Sequence, residues 1–184
     1  MRKVDIFKKR LLGLIKQKAL FKGKITLASG EESNYYIDGR CITLSAEGAY
    51  LTAEIFLSSV KRDPPDGIGG PTLGADPICG AIAALAFLKK KKIGAFILRK
   101  TPKKHGRQRQ MESPVFKKGA RLVLIDDVAT TGGSLADGVK LLRAYGFKVN
   151  KALVIVDRGQ GAKESLAGVG CKLISIFTPQ DLGL

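Results

Sequence analysis

Apolar and polar residues follow two periods along the chain, and the switches between those periods set the expected elements. From residue 3 to 20 the apolar positions Val4, Phe7, Leu11, Leu14 and Ile15 share one face at helical spacing, with lysines opposite. Residues 16–24 are expected to close that helix and a strand to begin at Ile25. Residues 29–33 read as a turn, and residues 34–40 as the return strand of a hairpin. Residues 45–59 predict a helix with Ser45 as N-cap. Pro64-Pro65 breaks the chain, and residues 66–71 read as a strand end turning into a loop. There Gly69, Gly70 and Gly74 allow the backbone close approach to a ligand. A helix over 78–88 and a strand over 93–98 follow. Leu122 to Ile125 is a buried strand, and Leu135, Val139 and Leu142 recur at i, i+4, i+7 in a helix stopped by Gly146. A strand over 151–156, a helix over 162–167 and a strand over 173–177 complete the pattern. Strands alternating with helices predict an α/β fold, a doubly wound parallel sheet flanked by helices with ligands at the strands' carboxyl ends.

One stretch carries distinctive chemistry. The strand of residues 122–125 runs into Asp126 and Asp127, then Val128, Ala129, Thr130, Thr131, Gly132, Gly133 and Ser134, and then a helix. Loop amides and a helix N-terminus favour a phosphate. The carboxylates repel one, so they need another task, such as holding sugar hydroxyls or facing a metal. A phosphorylated sugar satisfies both halves. A lone Asp-Asp more often simply ends a strand; here the whole string argues otherwise. It lacks the Gly-Lys-Ser/Thr ending of a nucleotide-triphosphate loop, and no G-x-G-x-x-G occurs.

Composition adds a charge of +16 in 184 residues, unevenly placed. Residues 89–121 hold thirteen Lys or Arg and one acid, Glu112, a local charge of +12. Lys89 to Lys92 read as a solvated surface. The polar run from Arg99 to Glu112 reads as a mobile lid beside an anionic site, within a loop of about 99–114. It holds the only histidine, His105, whose ordinary pKa allows proton exchange at working pH. Tyr35 and Tyr36 alternate across their strand, so one is free to stack on a planar ligand while the other packs. Arg158, at a strand's carboxyl end, offers a bidentate fork to a carboxylate. Three scattered cysteines fit free thiols in a reducing cytoplasm, and no apolar run approaches a membrane span.

The string from Asp126 to Ser134 resembles the phosphoribosyl-diphosphate (PRPP) motif of type I phosphoribosyltransferases, an apolar strand followed by Asp-Asp-x-x-x-T-G-x-S/T. Three more strings resemble the orotate phosphoribosyltransferase branch: residues 25–40, matching F-T-L-x-S-G-x-x-S-x-Y-Y-x-D-x-R; the lid string R-K-x-x-K-x-H-G from Arg99; and Asp157-Arg158. The resemblance covers about residues 25–184. It implies one domain over 1–184: a hood of residues 1–40 plus C-terminal residues, and a core of about 41–175. It implies transfer of the ribose 5-phosphate of PRPP to N1 of orotate, giving orotidine 5′-monophosphate and diphosphate in pyrimidine synthesis, with Mg²⁺ bound mainly through PRPP and water. Arg99, Lys100, Lys103 and His105 then bind the diphosphate, Lys103 being the most sensitive catalytic cation. Asp126 and Asp127 hold the ribose hydroxyls, the amides of Ala129 to Ser134 the 5′-phosphate, with Val128 also in the PRPP site, and Tyr35, Tyr36, Thr130 and Arg158 the orotate. A cytoplasmic homodimer is implied, its loop reaching the neighbouring subunit's site; neither a membrane nor a nucleic-acid partner is expected. Ala28 and Gly74 stand where many members have a lysine that contacts PRPP. A purine phosphoribosyltransferase would share residues 126–134 but lack the Tyr-Tyr hairpin and Arg158. A non-catalytic PRPP-sensing regulator would instead use the positive charge on a nucleic acid.

Overall fold

The N-terminal periodicity resolves, in the computed structural model describing residues 2–26, 32–101 and 110–184, into α1 (Lys3–Lys18), with Leu11 and Ile15 buried. A hairpin of β1 (Leu20–Thr26) and β2 (Glu32–Ile37) follows, then α2 (Arg40–Thr43), α3 (Ala46–Ser59), β3 (Gly67–Pro71), α4 (Asp76–Leu88), β4 (Gly94–Leu98) and β5 (Met111–Glu112). The second half is β6 (Arg121–Ala129), α5 (Gly133–Ala144), β7 (Lys148–Asp157), α6 (Ala162–Gly168), β8 (Lys172–Phe177) and α7 (Pro179–Leu182). Ser45 caps α3 as expected, its Oγ accepting the Gly48 N–H at 3.1 Å. Gly146 stops α5 at φ +86°, the left-handed conformation that glycine adopts without strain.

Six strands form one sheet in the order β5-β4-β3-β6-β7-β8, parallel except for β5, which pairs antiparallel with β4. Side chains alternate across it. Val123 and Ile125 of β6 pack with α1, α3 and α4 on one face; Leu122 and Leu124 pack with α5 and α6 on the other. Both faces are covered, which is why the central strands are apolar runs. The chain winds outward from β3 to β4, then returns to β3's other side as β6 and winds out to β7 and β8. That reversal opens a crevice at the carboxyl ends of β3 and β6.

Several boundaries differ from expectation, for tertiary reasons. β1 begins at Leu20, because Leu20 to Lys22 pair with Ile37 to Tyr35. The return strand stops at Ile37; Asp38 then accepts the Arg40 N–H at 3.1 Å, a turn that starts α2. Residues 67–71 are not a strand end but a central buried strand, clamped between β4 and β6. A Cβ at Gly69 or Gly70 would strike the carbonyl of Phe96 or Ile125, so this strand is glycine-rich for close neighbours rather than for a turn. β6 continues through both carboxylates to Ala129, paired with β7 as far as Asp157. α4 begins two residues before expectation, and β5 and α7 were not foreseen. Thr178 and Asp181 close a reciprocal cap on α7, the Thr178 N–H donating to Asp181 at 2.8 Å.

Leu124, fully buried where β6 meets α5, should be among the costlier truncations. Leu124→Ala is expected to lower unfolding free energy by about 2–5 kcal/mol in urea denaturation; a loss within experimental error would place the main core elsewhere.

Candidate active site

Alternation along β6 sends Asp126 to the side of Leu124 and Asp127 to the side of Ile125, both at the lip of the crevice. Asp126 Oδ1 accepts the Asp127 N–H at 3.0 Å, and Asp127 Oδ1 accepts the Val128 N–H at 2.8 Å. Two glycines close on them. A Cβ at Gly39 would lie 2.5 Å from Asp127 Oδ2, and one at Gly74 would run into an oxygen of each carboxylate. A side chain at position 74, where many members of the resembled family carry a lysine, would therefore have to displace the two carboxylates. Burial pushes the Asp126 carboxyl well above the usual carboxylate range, and the charges of Asp127 and, less, Asp76 push the same way. Burial also raises Asp127, partly offset by the Val128 N–H. Placed this way, the pair disfavours two full negative charges; hydroxyl donors or a nearby cationic centre would favour them.

Next to the pair, Gly132 turns the chain into α5 at φ +77°, so close to Ala162 that a Cβ there would sit 2.9 Å from the Ala162 Cα. No side-chain hydrogen bond caps α5 at Gly132, so its first-turn N–H groups carry no side-chain cap. Ala129 also accepts the backbone N–H of Arg158 at 2.9 Å, which sets the end of β7 beside it.

A cavity of about 720 Å³ opens over Asp127 and Gly74, with Arg40, Arg99 and Lys100 on its walls. A second recess, of about 500 Å³, shares Asp127, Gly74, Arg99 and Lys100 and extends to Asp126 and Ser134 at the start of α5. Gln110 fixes the approach of Arg99 and Lys100: its carbonyl accepts the Arg99 N–H at 2.8 Å, and its Nε2 donates to the Arg99 and Lys100 carbonyls at 3.4 and 3.2 Å. Lys103, His105 and Ala28 lie outside the described residues.

The hairpin meets the end of β7 through Arg158. The Arg158 guanidinium lies 4.7 Å from the Tyr35 ring centre, and its Nη2 donates to Ser33 Oγ at 3.1 Å. Arg158 is only 7% exposed, and its Nε is buried without a protein partner. Tyr36, on the opposite side of β2, stacks on Phe21 and reaches toward Arg40. Arg40 itself is held by Asp38 at 2.9 and 3.0 Å. The structure thus brings Tyr35 to Arg158 and places Tyr36 in a second aromatic–arginine pair. Arg40, Gln110 and Thr72 were given no role from the sequence. Thr72 ties the end of β3 to β4 by donating its hydroxyl to the Leu98 carbonyl at 3.0 Å. Arg40 and Thr72 were visible only as letters within longer motifs; Gln110 had no signal.

A phosphoribosyl transferase domain model matches residues 45–183. The orotate phosphoribosyltransferase of Streptomyces coelicolor is 41% identical over 175 residues, covering 95% of this chain and 96% of that protein. The crystal structure of Mycobacterium tuberculosis orotate phosphoribosyltransferase with Fe(III) dicitrate superposes with a TM-score of 0.83 at 32% identity, covering 97% of this chain and 99% of that one. The same enzyme in complex with PRPP gives a TM-score of 0.80 at 29% identity over the same shares.

Two outcomes follow from the crowded acidic pair. A carboxyl whose folded-state pKa is raised loses stability as pH climbs through that pKa, so Asp126 destabilises the fold at neutral pH. Asp126→Asn, which keeps the acceptor for the Asp127 N–H, should melt roughly 2–4 °C higher at pH 7. The gain should shrink toward zero as pH falls below the ordinary carboxylate value of 3.8; a variant melting no higher at pH 7 would contradict the burial argument. Gly74→Lys should not supply a missing cation. It is expected to cost about 1–3 kcal/mol of stability through overpacking, and a fully stable variant would show that the loop has room.

Proposed function

The chain belongs to the orotate phosphoribosyltransferase family, and we infer that its site transfers the ribose 5-phosphate of PRPP to N1 of orotate, releasing diphosphate and forming orotidine 5′-monophosphate. The observation that carries the orotate assignment is Arg158. A buried guanidinium with an unpartnered Nε, set at a strand end beside the phosphate loop, suits a carboxylate on a planar ring.

The attacking atom is the pyrimidine N1, so the protein needs no nucleophile of its own. Cys79 is unsuited to that role: burial pushes its thiol up to about 12 and it points at the Phe96 carbonyl. The work is positioning and charge stabilisation. The 5′-phosphate sits on the amides from Ala129 to Ser134. Asp126 and Asp127 accept the ribose hydroxyls. Those donors draw both carboxyls toward the charged form, and the paired charge favours cationic character at the ribose as diphosphate leaves. Arg99, Lys100, Lys103 and His105 offset the leaving charge, with Arg40 and Gly74 shaping the same cavity. Thr130, Tyr35 and Tyr36 complete the orotate side. In this reading the hairpin, with α1 and C-terminal residues, is the hood.

The donor set fits Mg²⁺ that arrives with the substrate. Among the described residues no group of three or more His, Cys, Asp or Glu is arranged to hold a metal. Asp126 and Asp127 offer the one or two carboxylates that Mg²⁺ commonly takes beside phosphate oxygens and water. When bound, Mg²⁺ neutralises part of the diphosphate charge and so eases its departure. A homodimer is supported by α4, which carries no charged residue after Asp76 and leaves Gly80, Ala84, Phe87 and Leu88 exposed. Such an apolar outer face, with small residues that permit close approach, fits a second copy. Three free cysteines fit a reducing cytoplasm, and no helix among the described residues is long and apolar enough to cross a membrane.

The direct test is loss of orotate absorbance with PRPP and Mg²⁺, with adenine, hypoxanthine and uracil as controls. Turnover of orotate alone is expected; turnover of a purine in its place would sink the assignment. Lys103→Ala should lower kcat by orders of magnitude without unfolding the chain. If its loop serves the neighbouring site, mixing Lys103→Ala with Asp126→Asn chains should recover about one quarter of native activity, since half the dimers carry one intact site. No recovery after subunit exchange would place the loop in its own site.

A further inference from the structure

Arg158 is useful to a carboxylate only if its guanidinium is held in one orientation, and the structure shows what holds it. The Tyr35 ring at 4.7 Å fixes the plane of the guanidinium by cation–π stacking. A ring face has no preferred direction within that plane, so stacking alone leaves the group free to turn on it. The turn is stopped by the 3.1 Å hydrogen bond from Nη2 to Ser33 Oγ.

Ser33 is itself fully committed. Its hydroxyl proton goes to the Tyr35 carbonyl at 2.7 Å, and one lone pair faces the Tyr35 N–H at 3.3 Å. A hydroxyl has one proton and two lone pairs, so a single acceptor position remains, and Arg158 occupies it. Ser33 therefore has nothing left to offer a ligand, while the buried Arg158 Nε has no hydrogen-bond partner among the described residues. The hydroxyl is locked to the backbone of the residue whose ring carries the guanidinium, so hairpin and fork move as one body.

We propose that Ser33 is a positioning residue: it sets the in-plane rotation of Arg158 on Tyr35 so that the guanidinium meets the carboxylate of the pyrimidine substrate. The proposal rests on the reading of Arg158 as the carboxylate fork. It assigns the selectivity for a carboxylated pyrimidine to three residues acting together rather than to the arginine alone.

Steady-state kinetics separate the possibilities. Ser33→Ala should raise the KM for orotate roughly tenfold, the usual scale for one lost hydrogen bond to a charged group. kcat, the KM for PRPP and the melting temperature should stay near their starting values. Ser33→Thr, which keeps the hydroxyl, should stay close to the parent in all four. In an Arg158→Ala background, Ser33→Ala should add nothing further, because its effect passes through the guanidinium. If Arg158→Ala raises the orotate KM and Ser33→Ala does not, the latch is wrong while the fork stands. An effect of Ser33→Ala that persists without Arg158 also overturns the latch. If Arg158→Ala itself leaves the orotate KM unchanged, the fork reading fails and the latch with it.

Discussion

Two carboxylates held side by side at the carboxyl edge of the sheet, Asp126 and Asp127, are the constraint around which the rest of the site is arranged. Burial raises both, and the charge of Asp127 raises Asp126 further, so two full negative charges here are an unfavourable electrostatic arrangement. The fold tolerates it because β6 runs on past the pair, tied to β7 as far as Ala129. Gly39 and Gly74 press against the carboxylates from the β2–α2 turn and the loop after β3. A side chain at either glycine would crowd the carboxylates as they are placed. Strain of this kind is usual where binding is meant to relieve it.

The cations answer that arrangement from a distance. Arg40, Arg99 and Lys100 stand on the walls of the same cavity, none paired with Asp126 or Asp127. Arg40 is occupied by Asp38 and Arg99 by Glu112, while Gln110 holds the backbone of the 99–100 segment. Positive charge is thus kept near the acids without neutralising them, which leaves both signs available to a ligand carrying phosphates and hydroxyls. The lysine absent at position 74 is part of the same geometry. A side chain on that loop would crowd the carboxylates, and the local cations come from other elements.

The proposed specificity elements stand apart from the acidic pair, where the hairpin meets the six-stranded sheet. β2 sends Tyr35 to one side, where its ring lies against Arg158, and Tyr36 to the other, where it stacks on Phe21 and faces Arg40. In the proposed reading the acidic pair and the loop after it take the sugar phosphate, and Ser33, Tyr35 and Arg158 take the base attached to it.

Much of this was readable from local pattern. Alternation and helical spacing specified most elements, and the order strand, acidic pair, glycine loop, helix marked the proposed sugar-phosphate site, because each depends on neighbours a few residues apart. Where the expectation missed, the deciding partner lay far along the chain. Residues 67–71 looked like a strand end until β4 and β6 closed on both sides of them, and β6 outran its apolar run because β7 supplied a ladder. Arg158 and Tyr35 could each be suspected from the sequence. That Ser33 joins them is a contact between residues 125 positions apart. Such a contact leaves no periodicity to read; it exists only once the hairpin has folded over the end of β7.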